Sequence, residues 1–311
     1  MKRLIVTADD FGAAREVNDA VEAAHHGGIL TAASLMVAAP AAADAIARAR
    51  RTPSLCVGLH VVLVEGRPVL PASAVTHLVD RDGAFRSDMA ALGTVIAFSR
   101  QARRELAAEI TAQFAAFRAT GLTLDHCNAH KHFHLHPVVG GLIAAIGSRF
   151  GLRAARIPLE PLHVLRKIEP QTPAAPVLLT APFALLLRRR FRVHGLLAPD
   201  RIFGVRWSGH MSTHRLAGLI RNLPDGLSEI YLHPATGPFA GGAPHYRYRE
   251  ELDALMAADV VAASRDASLR LGGFGDFLGP AALRGTSCAA QSSTEGSTRA
   301  ANDAPRAASI A

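Results

Sequence analysis

Hydrophobic positions along the chain follow two periods in turn. Short apolar, β-rich runs recur at Leu4–Ala8, Ile29–Val37, Leu55–Val64, Leu122–Asn128, Ala155–Pro158, Ile202–Val205, Ser228–Leu232 and Leu269–Leu271. Several of the stretches between them have helical spacing. Val17–His26 puts Val17, Ala20, Val21 and Ala24 on one face, and Gln101–Ala119 carries Leu106, Ile110, Phe114 and Phe117 as a stripe; Ala41–Arg51 and Val138–Phe150 read as further helices. Strands alternating with helices predict βαβ units and a parallel sheet. Seven or so such units can close into a barrel, with the reactive residues at the C-terminal strand ends.

Two stretches break this rhythm. Residues 160–200 are Pro-rich at first, then carry the apolar run Val177–Leu187 and the arginines at 188–190 and 192, and read as an insertion over one face of the sheet. From about Gly279, Ala, Ser, Thr and Gly take over and the apolar pattern ends, which predicts one α/β domain over 1–278 and a disordered tail over 279–311. Cys288 falls in that tail and is given no role.

Composition narrows the picture further. With 49% hydrophobic and 19% charged residues, the 311-residue chain has the makings of a packed interior, not of a disordered chain. The N-terminal apolar run ends at Thr7 and two aspartates, and no stretch approaches the ~18 apolar residues of a membrane-spanning helix. Cys56, Cys127 and Cys288 form no close pair, so the expected compartment is the reducing cytoplasm. The net charge of +8 comes with no helix-turn-helix, zinc-finger or RNA-binding signature, so no nucleic-acid partner is expected.

Four strand ends carry chemistry. Thr7-Ala8-Asp9-Asp10-Phe11-Gly12 runs a strand into two carboxylates, which repel unless they share a cation or a proton. Side chains alternate along a strand, so the two aspartates can take different jobs. Alternatively, one of them caps the helix starting near Ala13. His60 ends an apolar strand and must find a partner there; alone, such a histidine is more often a satisfied core residue than a ligand. Five of the fifteen histidines (His126, His130, His132, His134 and His136) fall within eleven residues, and an extended segment would line His130, His132 and His134 along one face. Metal binding through neutral imidazole is the strong reading of that block. Glu229-Ile-Tyr231-Leu-His233-Pro234 leaves His233 at the rim, either as a general acid or as a hydrogen-bonded rim residue. One carboxylate and two histidines leave positions open on a divalent ion, as a hydrolytic site requires, with the spare aspartate free to accept a proton from water.

Ala8–Gly12, Gly58-Leu59-His60, the His130–Pro137 block, Arg156 and His233-Pro234 occur here in the order found in YdjC/ChbG-like carbohydrate deacetylases, which the chain resembles over roughly residues 2–278. Asn128-Ala-His-Lys-His-Phe-His-Leu-His-Pro is most similar to the hopanoid-biosynthesis-associated branch, HpnK. Many relatives have an aspartate where this chain has Asn128, which weakens transfer of chitooligosaccharide specificity more than transfer of the chemistry.

The resemblance implies a distorted (β/α) barrel of the glycoside hydrolase/deacetylase type and hydrolysis of an N-acetyl group from an amino sugar. It implies Asp10, His60 and His130 as ligands of one divalent ion, Asp9 as base, His233 as acid and Arg156 as holder of the base carboxylate, with His132 and His134 lining the substrate site. Zn²⁺ suits such a ligand set, and Mg²⁺, Mn²⁺ and Co²⁺ stay open. For the hopanoid branch the implied substrate is an N-acetylglucosaminyl hopanoid lipid. Residues 177–192 would then touch the inner face of the membrane, arginines on headgroups and apolar groups below; the alternative is an ordinary helix packed on the barrel. The competing functions are deacetylation of soluble chitooligosaccharides, glycoside hydrolysis on the same kind of barrel, and metal carriage by a histidine-rich protein without catalysis. No heptads or apolar stripe indicate an oligomeric state.

Overall fold

The computed structural model describes residues 1–173 and 175–279, of which residues 175–180 are described by their backbone alone. Seven strands, β1 (Lys2–Phe11), β2 (Ala32–Leu35), β3 (Cys56–Val61), β4 (Cys127–Ala129), β5 (Arg201–Phe203), β6 (Gly226–Leu232) and β7 (Leu269–Leu271), form one all-parallel sheet in the order β4-β3-β2-β1-β6-β5. β1 pairs with β6 from Lys2 to Ala8; it also pairs with β7 at Lys2–Leu4 and with β2 from Thr7 onward. β7 is therefore wedged beside the start of the central strand.

Among the described residues ten helices accompany the strands: α1 (Arg15–Gly27), α2 (Ala42–Arg51), α3 (Met89–Phe98), α4 (Arg100–Ala119), α5 (Pro137–Arg149), α6 (Leu162–Ile168), α7 (Ala175–Val193), α8 (Thr213–Arg221), α9 (Tyr248–Met256) and α10 (Ala258–Ser264). The expected α/β barrel is thus present, in distorted form. Residues 154–159 bridge its two edges without forming a strand. On one side the N–H of Cys127 donates to Ala154 O and that of Arg156 to Cys127 O; on the other the N–H of Ile202 donates to Leu159 O. The break in regular pairing occurs where Arg156 turns inward.

Two expectations change here. Leu122–Asn128 reads as a strand, but the regular strand is only Cys127–Ala129; Asp125 N–H and His126 O still bond β3 at Val57 and Leu59, while Leu122 and Leu124 lie before the ladder begins. The second concerns α4, whose expected apolar stripe is buried but is flanked by three buried polar residues. Gln113 accepts from Val62 N–H, Glu109 from Val69 and Leu70 N–H, and Glu105 from His77 N–H. Four-residue spacing puts the three on one helical face, which ties down the long β3–α3 connection. The segment around 160–200 comprises α6 and α7. The tail over 280–311, Cys288 included, lies outside the described residues.

Candidate active site

β1 carries the two aspartates into the barrel by a local irregularity. Its register with β2 shifts between Ala8 and Phe11, and Asp10 adopts a left-handed backbone with φ 62°. In a regular strand Asp9 and Asp10 would face opposite sides. The bulge turns both toward one site, a geometry often seen beside active sites. Neither aspartate caps α1, whose N-cap is Ala14 with no side-chain bond.

Asp10 Oδ1 lies 3.2 Å from His60 Nε2 and 3.1 Å from His130 Nδ1, and the two imidazole nitrogens are 3.4 Å apart. Among the described residues this is the group of donors placed to hold a metal ion, with all three ligand atoms within 4.8 Å of one another. Two nitrogens and one carboxylate oxygen converging from three chain segments make a donor set that suits a divalent ion and leaves coordination positions open. His60 is oriented for it. Its Nδ1 bonds Asn128 Oδ1 at 2.7 Å, so a proton sits on Nδ1 and Nε2 is the nitrogen that faces Asp10.

Asp9 is held from the other side. Arg156 grips both of its oxygens, at 2.5 and 3.0 Å, and through Nε and Nη2 also binds Glu229 Oε1 at 3.0 and 2.7 Å. Thr7 Oγ1 donates to the same Glu229 oxygen at 2.9 Å, and the Tyr231 ring lies under the guanidinium at 4.5 Å. All these groups are buried. Burial works to raise the Asp9 pKa, but the Arg156 charge, helped by His60 and by the hydrogen bonds from Arg156, holds it well below the usual carboxylate range. An anion fixed in this way is ready to accept a proton only from a strongly polarised donor.

The histidine block departs from the extended reading. Residues 130–135 form a tight 3-10 segment in which Lys131 and His132 take left-handed backbones, so His130, His132 and His134 do not share one face. His130 alone reaches Asp10. His132 Nε2 meets Tyr231 OH at 2.9 Å, and His134 Nε2 donates to Arg156 O at 3.2 Å. Burial, reinforced by the Arg156 charge, lowers both imidazoles, His134 to about 3, so both are neutral. His136 caps α5 by accepting from Val138 N–H, and His126 points into the barrel interior toward Ser34.

His233 follows β6 at the rim. Its backbone N–H donates to Glu251 Oε2 at 2.5 Å, Met211 N–H donates to Glu251 Oε1, and its ring packs against Tyr231 and Tyr246. Its Nδ1 is buried without a hydrogen-bond partner, and burial lowers its pKa despite the pull of Asp10 and Asp9. The structure therefore brings together Asp9, Asp10, His60, His130, Arg156 and His233, with His132 and His134 packed behind Arg156 and Tyr231. Glu229, Asn128, Ser34 and Glu251 belong to the same cluster and carry no role in the sequence reading. Glu229 had a readable signal: Glu229, Tyr231 and His233 alternate on one face of an otherwise apolar strand.

The family model described as YdjC-like protein matches residues 3–266. A carbohydrate deacetylase of Geobacillus stearothermophilus is 30% identical over 278 residues, covering 88% of this chain and 97% of that protein. A carbohydrate deacetylase of Mus musculus is 32% identical over 262 residues, covering 77% and 81%. Among solved structures, a "putative cellobiose-phosphate cleavage protein" from Enterococcus faecalis V583 superposes with a TM-score of 0.71 over 88% of this chain and 98% of that one; at 22% identity it supports the barrel fold.

Proposed function

The chain belongs to the YdjC-like family, and from that premise we propose that it is a carbohydrate deacetylase, hydrolysing the N-acetyl group of an amino sugar to acetate and a free amine. The observation that carries the reading is the Asp10–His60–His130 donor cluster set beside an Asp9 carboxylate that Arg156 keeps ionised. Relatives that match most of the chain bear the name carbohydrate deacetylase.

In this reading Asp10, His60 and His130 hold one divalent ion, Zn²⁺ or Mg²⁺, which when bound supplies a Lewis acid for the amide and for water. Asp9 accepts the proton of the attacking water. Arg156 fixes the direction from which it does so, and Glu229 balances the charge of Arg156 once Asp9 is neutralised. His233 delivers a proton to the departing nitrogen, aimed by the Glu251 anchor on its backbone. His132 and His134 keep Tyr231 and Arg156 in place from behind, so in this proposal they support the site rather than bind the sugar.

For the substrate we infer an amino sugar linked to a lipid of the hopanoid type, as in the HpnK branch, with contact at the inner membrane face through α7. Phe183, Leu185, Leu186 and Val193 are exposed along that helix beside the exposed Arg189 and Arg192, while Ala184, Leu187 and Phe191 bury the opposite side. Two of the arginines expected on headgroups are engaged otherwise: Arg188 donates to Asp200 O and Arg190 to Pro137 O, because both sit on the face that packs on the barrel. The side chains of residues 177–180 lie outside those described. No described helix is long and apolar enough to cross a membrane. Mass spectrometry of N-acetylglucosaminyl hopanoid and chitobiose, each incubated with metal-loaded protein, tests the reading. Acetyl loss from the lipid alone is expected; loss from chitobiose alone favours a soluble substrate, and loss from neither refutes deacetylation.

A further inference from the structure

Behind the metal-ligand cluster runs a chain of buried side chains that the proposed chemistry does not use. Asp125 Oδ2 lies 2.9 Å from His126 Nδ1, His126 Nε2 lies 2.9 Å from Ser34 Oγ, and Ser34 Oγ lies 2.9 Å from Asn128 Nδ2. Asn128 Nδ2 also bonds Asp9 Oδ1 at 3.0 Å, and Asn128 Oδ1 bonds His60 Nδ1 at 2.7 Å. Each of these residues is at least 95% buried.

The donor and acceptor inventory gives this chain a single direction. Asp9, ionised and gripped by Arg156, only accepts, so the amide nitrogen of Asn128 must face it. The same NH₂ group gives its second hydrogen to Ser34 Oγ. Ser34 then donates its own hydrogen to His126 Nε2, which leaves the His126 proton on Nδ1, where Asp125 accepts it. Asp125 is fixed in turn by the N–H groups of Phe274 and Gly275. With its nitrogen committed twice, Asn128 can present only its oxygen to His60, and an oxygen there requires the His60 proton on Nδ1. The barrel is shaped to admit the relay. A Cβ on Gly58 would come within 2.5 Å of the His126 ring, and Phe274 stacks on that ring at 4.3 Å.

We propose that Asn128 is a positioning residue that fixes the tautomer of His60, with Ser34 and His126 holding its amide so that His60 Nε2 is always presented as a metal donor. The inference rests on His60 being a ligand, as proposed above. Anchoring the far nitrogen of a ligating histidine is commonly worth about 10–100-fold in metal affinity.

The test uses the full-length metal-free protein labelled with ¹⁵N at histidine, and Co²⁺ as the probe. Wild type is expected to hold a proton on His60 Nδ1, hydrogen-bonded to Asn128. Asn128→Ala is expected to lose that preference and to bind Co²⁺ about 10–100-fold more weakly. Asn128→Asp keeps an acceptor opposite His60 but removes both amide donors. It should retain the tautomer while lowering kcat with KM unchanged, an outcome that simple loss of packing would not produce. Ser34→Ala is the milder variant should Asn128→Ala fail to fold, and it should partly relax the tautomer. An unaltered His60 tautomer with unaltered Co²⁺ affinity in Asn128→Ala, or in Ser34→Ala if only that variant folds, overturns the proposal. Equal Co²⁺ binding by His130→Ala and wild type would instead overturn the ligand assignment on which it rests, so the two failures are distinguishable.

Discussion

The β1–β4 mouth of the barrel and the outer face of α7 are both candidate contact regions, and they are built on opposite principles. At the mouth, charged and polar side chains are almost fully buried and nearly every one has two or more named partners: Arg156 holds Asp9 and Glu229, and Asn128 holds His60, Asp9 and Ser34. On α7, Phe183 is 48% and Leu185 55% exposed, beside arginines in solvent. A buried charge network confines geometry tightly because each broken bond leaves an uncompensated group. An exposed amphipathic face confines little and works by area and charge. Substitutions at the mouth should therefore change chemistry and folding together, whereas those on α7 should affect only the choice of surface.

The largest effect is expected from Asp9→Asn, which keeps the shape of the side chain and removes its capacity to accept a proton. Steady-state deacetylation should fall by about 10²–10⁴-fold, measured where circular dichroism shows the variant still folded although less stable than wild type. Near-normal turnover would remove Asp9 from the chemistry.

Next comes Arg156→Met. It leaves Asp9 and Glu229 facing each other in the interior without a counter-charge, and the loss of one partner from a buried network costs about 3–5 kcal/mol. Denaturant midpoints should shift accordingly. Glu229→Gln should restore part of that loss in the double variant, since it removes one of the two repelling carboxylates. Strictly additive effects would show that the three groups do not act as a unit.

A smaller effect follows from pH. Burial pushes Glu251 up to about 7 from an ordinary value near 4.5, against the backbone hydrogen bonds it accepts from Met211 and His233. The folded state therefore holds a proton that the unfolded chain gives up above pH 4.5. Stability from this group is complete below 4.5 and is lost as the pH rises through 7, by about 3 kcal/mol in all. Thermal melts between pH 5 and 8 should fall more steeply for wild type than for Glu251→Gln. Equal slopes would mean that the carboxyl titrates normally.

The smallest effect on chemistry is expected on α7. Leu185→Asp with Arg189→Glu should leave turnover of a detergent-solubilised N-acetylglucosaminyl lipid unchanged while reducing flotation with anionic liposomes. Equal flotation of the variant and wild type would argue against membrane contact.

How far the sequence reveals each region follows from the same contrast. The strand ends are readable because an apolar run stopping at Asp9-Asp10, His60 or His233 has few physical alternatives, and the barrel follows from the alternation of such runs with helices. What the sequence hides is local backbone geometry and long-range partnership. The bulge at Asp10 and the left-handed turn at Lys131–His132 depend on packing around them, so period-two counting misassigned His132 and His134 to the face of His130. Arg156 is an isolated residue on an irregular segment, and its grip on Asp9, 147 positions away, is a property of ring closure. Asn128, Ser34 and Glu251 are single polar residues whose importance lies wholly in what lies across the barrel.

In the proposed function, amide hydrolysis by this barrel depends on the Asp10–His60–His130 cluster. The most direct measurement is acetate release from an N-acetylated amino sugar by wild type and by His130→Ala, each titrated with Zn²⁺ or Mg²⁺ after metal removal. Wild type is expected to gain activity up to about one ion per chain and to yield acetate and free amine in equal amounts, whereas His130→Ala stays inactive at every ion concentration. Acetate release by His130→Ala equal to that of wild type would contradict that dependence.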